Sequence, residues 1–185
     1  MPIWETERPS WLPDSMLGYL TVVDWGDKDK ELTSEEWLAG TNFALKIKPA
    51  LAAGGFRGDL GRQRNTLLSN EELDLCRRIM PNGRGAWYSP SVRVNHLVKR
   101  ERCTQAWVRK RVAWQAISDL IMEQGTHHHT DNLLTSIDHF YTEIESDKQA
   151  PKLLISDINS PSLFEDQCNA IRAYISLFGT DSVRV

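Results

Sequence analysis

The amino-acid sequence predicts an incomplete α/β fold followed by a helical tail. Three observations carry that prediction. Short apolar runs with strand character alternate with helix signals up to about residue 125. Their order, strand, helix, strand, strand and then helices, fits part of an α/β layer structure. The βαβ series that would normally open such a structure is missing. The expected organisation is therefore an α/β unit over 1–125 and a helical extension over 126–185, a length that suits one domain with an appended piece.

The elements follow in order. Residues 1–32 are rich in Trp and Pro, and the short apolar run Tyr19-Leu20-Thr21-Val22-Val23 predicts loop with one short strand. Ser34, ahead of Glu35 and Glu36, can cap one helical turn. Residues 40–47 have mixed strand character. A short helix is expected over Pro49–Ala53, with Gly54-Gly55 as its stop. Residues 57–68 read as a loop. Ser69 or Asn70 then caps a helix whose first turn holds Glu71, Glu72 and Asp74. Pro81-Asn82-Gly83 ends it, and Ala86–Tyr88 and Val92–Val94 read as two strands about the Ser89-Pro90 turn. A helix is predicted from Thr104 to about Gln124, because Trp107, Val108, Val112, Ile117, Leu120 and Ile121 fall near one side. Two more are expected near 130–146 and 162–178.

Composition narrows the function classes. Mean hydropathy is −0.43, and no run approaches the roughly 18 apolar residues of a membrane span. The opening Met1-Pro2-Ile3-Trp4-Glu5 lacks a basic region followed by an apolar stretch, which predicts no signal peptide. Cys76, Cys103 and Cys168 are an odd number without CxxC spacing and read as reduced thiols, as expected in the cytoplasm. Residues 113–185 carry eleven acids and four bases (−7), whereas the other 112 residues carry 18 bases and 14 acids (+4). The basic excess gathers in Lys99, Arg100, Arg102, Arg109, Lys110 and Arg111, where an anion could dock. An isoelectric point near 6.0 and the acidic final third argue against a nucleic-acid partner.

Four segments in the same order resemble bacterial family 2 glycosyltransferases. Arg8-Pro9-Ser10-Trp11-Leu12-Pro13, with Leu17-Gly18-Tyr19-Leu20, resembles the segment before the acceptor region. Leu38-Ala39-Gly40-Thr41-Asn42-Phe43-Ala44-Leu45, continuing to Gly54-Gly55-Phe56, resembles that family's G-x-N-x-A … GGF stretch. Leu60-Gly61-Arg62 and Leu67-Leu68-Ser69-Asn70-Glu71-Glu72-Leu73-Asp74-Leu75 are similar to its LGR … LLSGE(D/E)xDL motif. Ala86-Trp87-Tyr88-Ser89-Pro90 through Val92-Arg93-Val94-Asn95-His96 resembles IxYxPxAxVxH, with Arg102, Trp107 and Arg111 matching the trailing segment. Each motif is weak alone; the ordered set, over roughly 8–118, carries the resemblance. It implies a partial GT-A fold, the C-terminal acceptor-side half, without the N-terminal nucleotide-binding half.

The resemblance also assigns roles. Glu72 stands where the family places its catalytic base, usually Asp, and Glu71 is its neighbour. His96 matches a histidine that completes the divalent-metal site in many GT-A enzymes. Gly40 matches a glycine of the donor-sugar pocket, and Asn42 belongs to the same substrate-binding stretch. Arg102, Trp107 and Arg111 could form a cationic and aromatic wall for diphosphate or sugar. Structural readings stand beside each of these. Glu71 and Glu72 also favour a first helical turn, and its dipole would weaken a base that the paired carboxylate would strengthen. His96 could be a surface group, Gly40 a turn, Trp107 core, and the arginines a solvated face.

A divalent metal, Mn²⁺ or Mg²⁺, is expected for the complete enzyme, with carboxylate ligands from a DxD motif. Asp27-Lys28-Asp29 matches that pattern but lies only eleven residues before Gly40 and reads as a solvated turn. His127-His128-His129 reads as an exposed loop. The implied activity is transfer of a sugar from a nucleotide-sugar donor to an acceptor hydroxyl on a glycan or lipid, in polysaccharide or glycolipid synthesis, by a chain incomplete on its own. A complementary N-terminal half or self-association is then expected, as is a cytoplasmic location peripheral to the inner membrane face. The alternative is a non-catalytic glycan- or protein-binding module of the same ancestry.

Overall fold

The computed structural model describes residues 2–33, 35–63, 66–80, 85–124 and 154–181. The helix expected near 130–146, the histidine tract and the 125/126 boundary lie outside the described residues.

The centre is a long helix, α3 (Gln105–Gln124), which starts and stops where its apolar periodicity predicts. Both of its flanks are covered. Ala113, Trp114, Ala116, Ile117, Leu120 and Ile121 pack with Leu60, Leu68, Ile171 and Ile175. Val108 and Val112 pack with Leu12, Met16, Leu20, Val98, Phe164 and Cys168. The second cover is α4 (Pro161–Asp181), whose first residue is a proline, where a missing N–H costs nothing. Phe164 is fully buried and meets Trp11 edge-to-face at 4.9 Å. Fully burying a side chain of this size contributes about 1.5–3 kcal/mol, so the α3–α4 seam is a principal source of stability. Arg109, buried in that seam, donates to Asp157 (3.0 Å) and to the Ser156 carbonyl.

The N-terminal segment departs from expectation. The run predicted as a strand at Tyr19–Val23 instead joins a 3-10 helix over Asp14–Leu20, which ends at Thr21 in the left-handed region (φ 62°). Met16 and Leu20 are both buried in the cluster around α3. Residues 40–47 are likewise no strand: Gly40–Asn42 form a 3-10 turn, and α1 spans Ile47–Ala52, two residues ahead of the predicted start.

Among the described residues four short strands make two small sheets. β1 (Pro2–Trp4), unforeseen in the sequence, runs parallel to β4 (His96–Val98), pairing Pro2 with His96 and Trp4 with Val98. β2 (Lys30–Glu31) pairs antiparallel with β3 (Trp87–Tyr88). The strand expected at Val92–Val94 is displaced to His96–Val98. Val92 and Val94 face solvent, whereas 96–98 have a partner in β1. The chain is thus a mixed α/β structure, and no helix among the described residues is long and apolar enough to cross a membrane.

Candidate active site

The site is built around the start of α2 (Glu71–Ile79). Asn70 precedes it, as expected, but does not cap it through its side chain; its backbone is left-handed (φ 77°). The amide reaches across to α3 instead, donating to Asp119 Oδ1 (2.8 Å) and accepting from Gln115 Nε2 (2.8 Å). Ser69 adds a bond from its N–H to Ser118 Oγ (3.0 Å) and one from its hydroxyl to Gln115 Oε1 (3.0 Å). Arg111, buried, donates to Gln115 Oε1 (2.8 Å) and Ser69 Oγ (3.2 Å). Arg111, Gln115 and Asp119, one helical turn apart on a helix otherwise mostly apolar here, are the stripe that orients α2. Arg172 of α4 extends it to Asp119 and to the Tyr19 hydroxyl.

The far side of α2 is fixed by charge. Asp74, buried, faces Arg78 (2.7 Å) and Arg57 (3.5 Å), and Arg57 also holds Asp59 (2.6 Å). Arg78 donates to the carbonyls of Ala53 and Gly55, tying the Gly54-Gly55 turn to α2. Both glycines have positive φ, 84° and 71°, a conformation that disfavours a side chain.

On this frame the two glutamates take different surroundings. Glu72 lays its carboxylate against the backbone of Gly40, whose N–H favours its charged form. A Cβ on Gly40 would sit 2.8 Å from the Glu72 carboxyl carbon and nearer still to Oε1. The space left by the absent side chain is therefore taken by Glu72. Desolvation by burial holds the Glu72 carboxyl above its ordinary range, with the Glu71 charge adding to the effect and the backbone N–H groups of Glu72 and Gly40 opposing it. The contest left open by the helix terminus and the paired acid is decided by burial. Glu71 packs against Gly61, where a Cβ would lie 3.0 Å from its carboxyl carbon, and its Oε2 is buried without a hydrogen-bond partner among the described residues.

Positive charge lies alongside. Arg62 interacts with Glu71 and with Arg102, and partial desolvation together with Arg102 lowers its proton affinity. Burial pushes Arg111 down to about 10, with Arg62 the next cause. Arg102 lies 5.6 Å from the centroid of the Trp107 ring. It also adds to the desolvation that lowers the pKa of His96, whose Nε2 is buried and unpartnered among the described residues. Electrostatic neighbours thus run from Glu72 through Glu71, Arg62 and Arg102 to His96. No hydrogen bond or ion pair joins Glu72 directly to His96 among the described residues.

Several expectations change in detail. Arg111 is not on a solvated face; it and Arg109 are buried and hydrogen-bonded. Lys99, Arg100 and Lys110 remain exposed. Trp107 packs partly into the core. The Asn42 amide donates to the Val92 carbonyl (2.8 Å), a bond that pins the 40–42 turn. Asp27 and Asp29 are exposed. Among the described residues no three of His, Cys, Asp or Glu converge, and one imidazole does not make a divalent-metal site. In the sequence Arg62 stands out only as part of a loop motif, and the i, i+4 polar stripe on α3 is the legible clue to the Asn70 anchor.

Compared with protein-family models, curated proteins and solved structures, the chain matches none.

Proposed function

We propose that this chain is the acceptor-side half of a family 2, GT-A-type glycosyltransferase, with Glu72 as the base that takes the acceptor hydroxyl's proton. The observation that carries the reading is the Glu72 carboxylate, half-buried at the start of α2 and filling the space beside the Gly40 Cα, with its proton affinity raised by burial. A base is most effective when its pKa approaches the operating pH, and burial moves Glu72 that way. Arg62 and Arg102, stationed beyond Glu71, suit the developing charge of a leaving diphosphate. Gly40 then serves to admit the Glu72 carboxylate, and Arg111 serves to seat α2.

The metal of the complete enzyme belongs to the same proposal. His96, which desolvation and Arg102 keep toward its neutral form, would supply one ligand at most, and the carboxylates would come from the donor-binding half. The described residues alone do not fit a metal site.

The parallel β1–β4 pair supports the reading that a half is missing. Parallel strands are ordinarily covered on both faces and by further strands, yet the paired residues Ile3 and Leu97 are 50% and 46% exposed. Such a surface favours a complementary half or self-association. The test is to mix the chain with a separately expressed donor-binding half carrying a DxD motif and to measure nucleotide release with a panel of sugar donors. Release that depends on both halves and is lost in Glu72→Gln supports the proposal. No release with any donor, or release indifferent to Glu72, leaves the non-catalytic binding module as the better account.

A further inference from the structure

We propose that the segment from Leu45 to Phe56 docks onto an anionic lipid bilayer. Ile47 and Leu51, four residues apart on α1, share one face and are 67% and 70% exposed. Leu45 precedes them and Phe56 follows, both also exposed. Gly55 donates to the Ala50 carbonyl (2.9 Å), which keeps Phe56 at the end of α1. The Arg78 bonds to Ala53 and Gly55 hold the segment on α2, so the apolar side chains are presented by a fixed backbone.

Charge selects the occupant. Lys46 and Lys48 are exposed beside this face, and residues 37–58 contain no Asp or Glu in a chain with 25 acids. Aliphatic side chains flanked by lysines, with no acid to repel a negative surface, match the interfacial region of an anionic membrane. A second copy of the chain is disfavoured because its own Lys46 and Lys48 would oppose these. If the sugar-transfer reading holds, docking would bring α2 and Glu72, against which α1 packs, near a lipid-borne acceptor; only this consequence rests on that reading.

Co-sedimentation with vesicles of phosphatidylcholine alone, or mixed with phosphatidylglycerol, tests the proposal. The chain should bind the mixed vesicles and not the neutral ones, and salt should weaken the binding. Each lysine changed to glutamine, at Lys46 and Lys48, should lower the partition roughly fivefold. The double variant I47E/L51E should lose binding while unfolding at the wild-type temperature, because both side chains already face solvent. L163E, altering an exposed leucine on α4, and E72Q, which tests the sugar-transfer reading, should bind as wild type. Absent binding to phosphatidylglycerol vesicles, or unaltered binding by I47E/L51E, overturns the proposal. A dimer that I47E/L51E dissociates, without vesicle binding, would make the face a self-interface and equally overturn it.

Discussion

Gly40→Ala is the substitution that most sharply probes the site. Gly40 is not among the residues with positive φ, so alanine meets no backbone penalty. In a compatible conformation Gly→Ala contributes about 0.4–1 kcal/mol through the unfolded chain. The conflict is with a side chain: the new Cβ would lie 2.8 Å from the Glu72 carboxyl carbon. Glu72 is flexible and would swing outward, losing the Gly40 N–H. Water reaching the carboxylate would replace the favourable field of that N–H. The expected net change in stability is within about 1 kcal/mol. The pKa responds differently. Burial is the largest cause of the raised Glu72 value, so outward movement should return it toward the ordinary carboxylate range. Titration of carboxyl-labelled glutamate by NMR, with Glu72 assigned through Glu72→Gln, reads this directly. Gly58→Ala, at a position with open space, serves as the control and should leave the value alone. A Glu72 pKa unchanged in Gly40→Ala, or already ordinary in the wild type, would refute the reasoning.

Three further outcomes follow from the same geometry. Because the folded Glu72 holds its proton more tightly than the unfolded chain does, stability should fall as pH rises from the ordinary glutamate pKa through the raised one. Glu72→Gln should therefore unfold at a higher temperature than wild type at neutral pH, with the gap closing in acid; calorimetry at several pH values checks this. Asn70→Gly keeps the left-handed backbone but deletes the bonds to Gln115 and Asp119, at a cost of about 1–3 kcal/mol in urea unfolding; Asn70→Ala should cost about 1 kcal/mol more than that. Burial raises the Cys168 thiol to about 12, so it should resist alkylation at pH 8 until the protein unfolds, as peptide mass mapping would show.

The sequence made α3 and α4 legible because their partners lie on long, strongly periodic surfaces that persist over several turns. It also placed α2 at Asn70 and the stop at Gly54-Gly55. Short elements were less readable for a physical reason. Val92–Val94 alternates as a strand should, yet pairing is decided by Pro2–Trp4, ninety residues away, which selects His96–Val98. Tyr19–Val23 has strand composition, but the contact of Met16 and Leu20 with the core around α3 overrides it. At the site, Glu71 and Glu72 were visible as acids opening a helix. That Glu72 closes on Gly40, more than thirty residues earlier, is a contact of which composition carries no trace. Arg102 and Arg111 looked alike in sequence; only the cover of α3 separates the buried one from the one stacked on Trp107.

The central claim is that Glu72 and His96 flank one anion-binding region, linked through Arg62 and Arg102. The direct measurement is an NMR titration of the chain with pyrophosphate, following the Glu72 carboxyl and the His96 ring together. Both resonances are predicted to move along one saturation curve, and Arg62→Ala should weaken both responses equally. A response at His96 alone, at Glu72 alone, or at neither would contradict the claim.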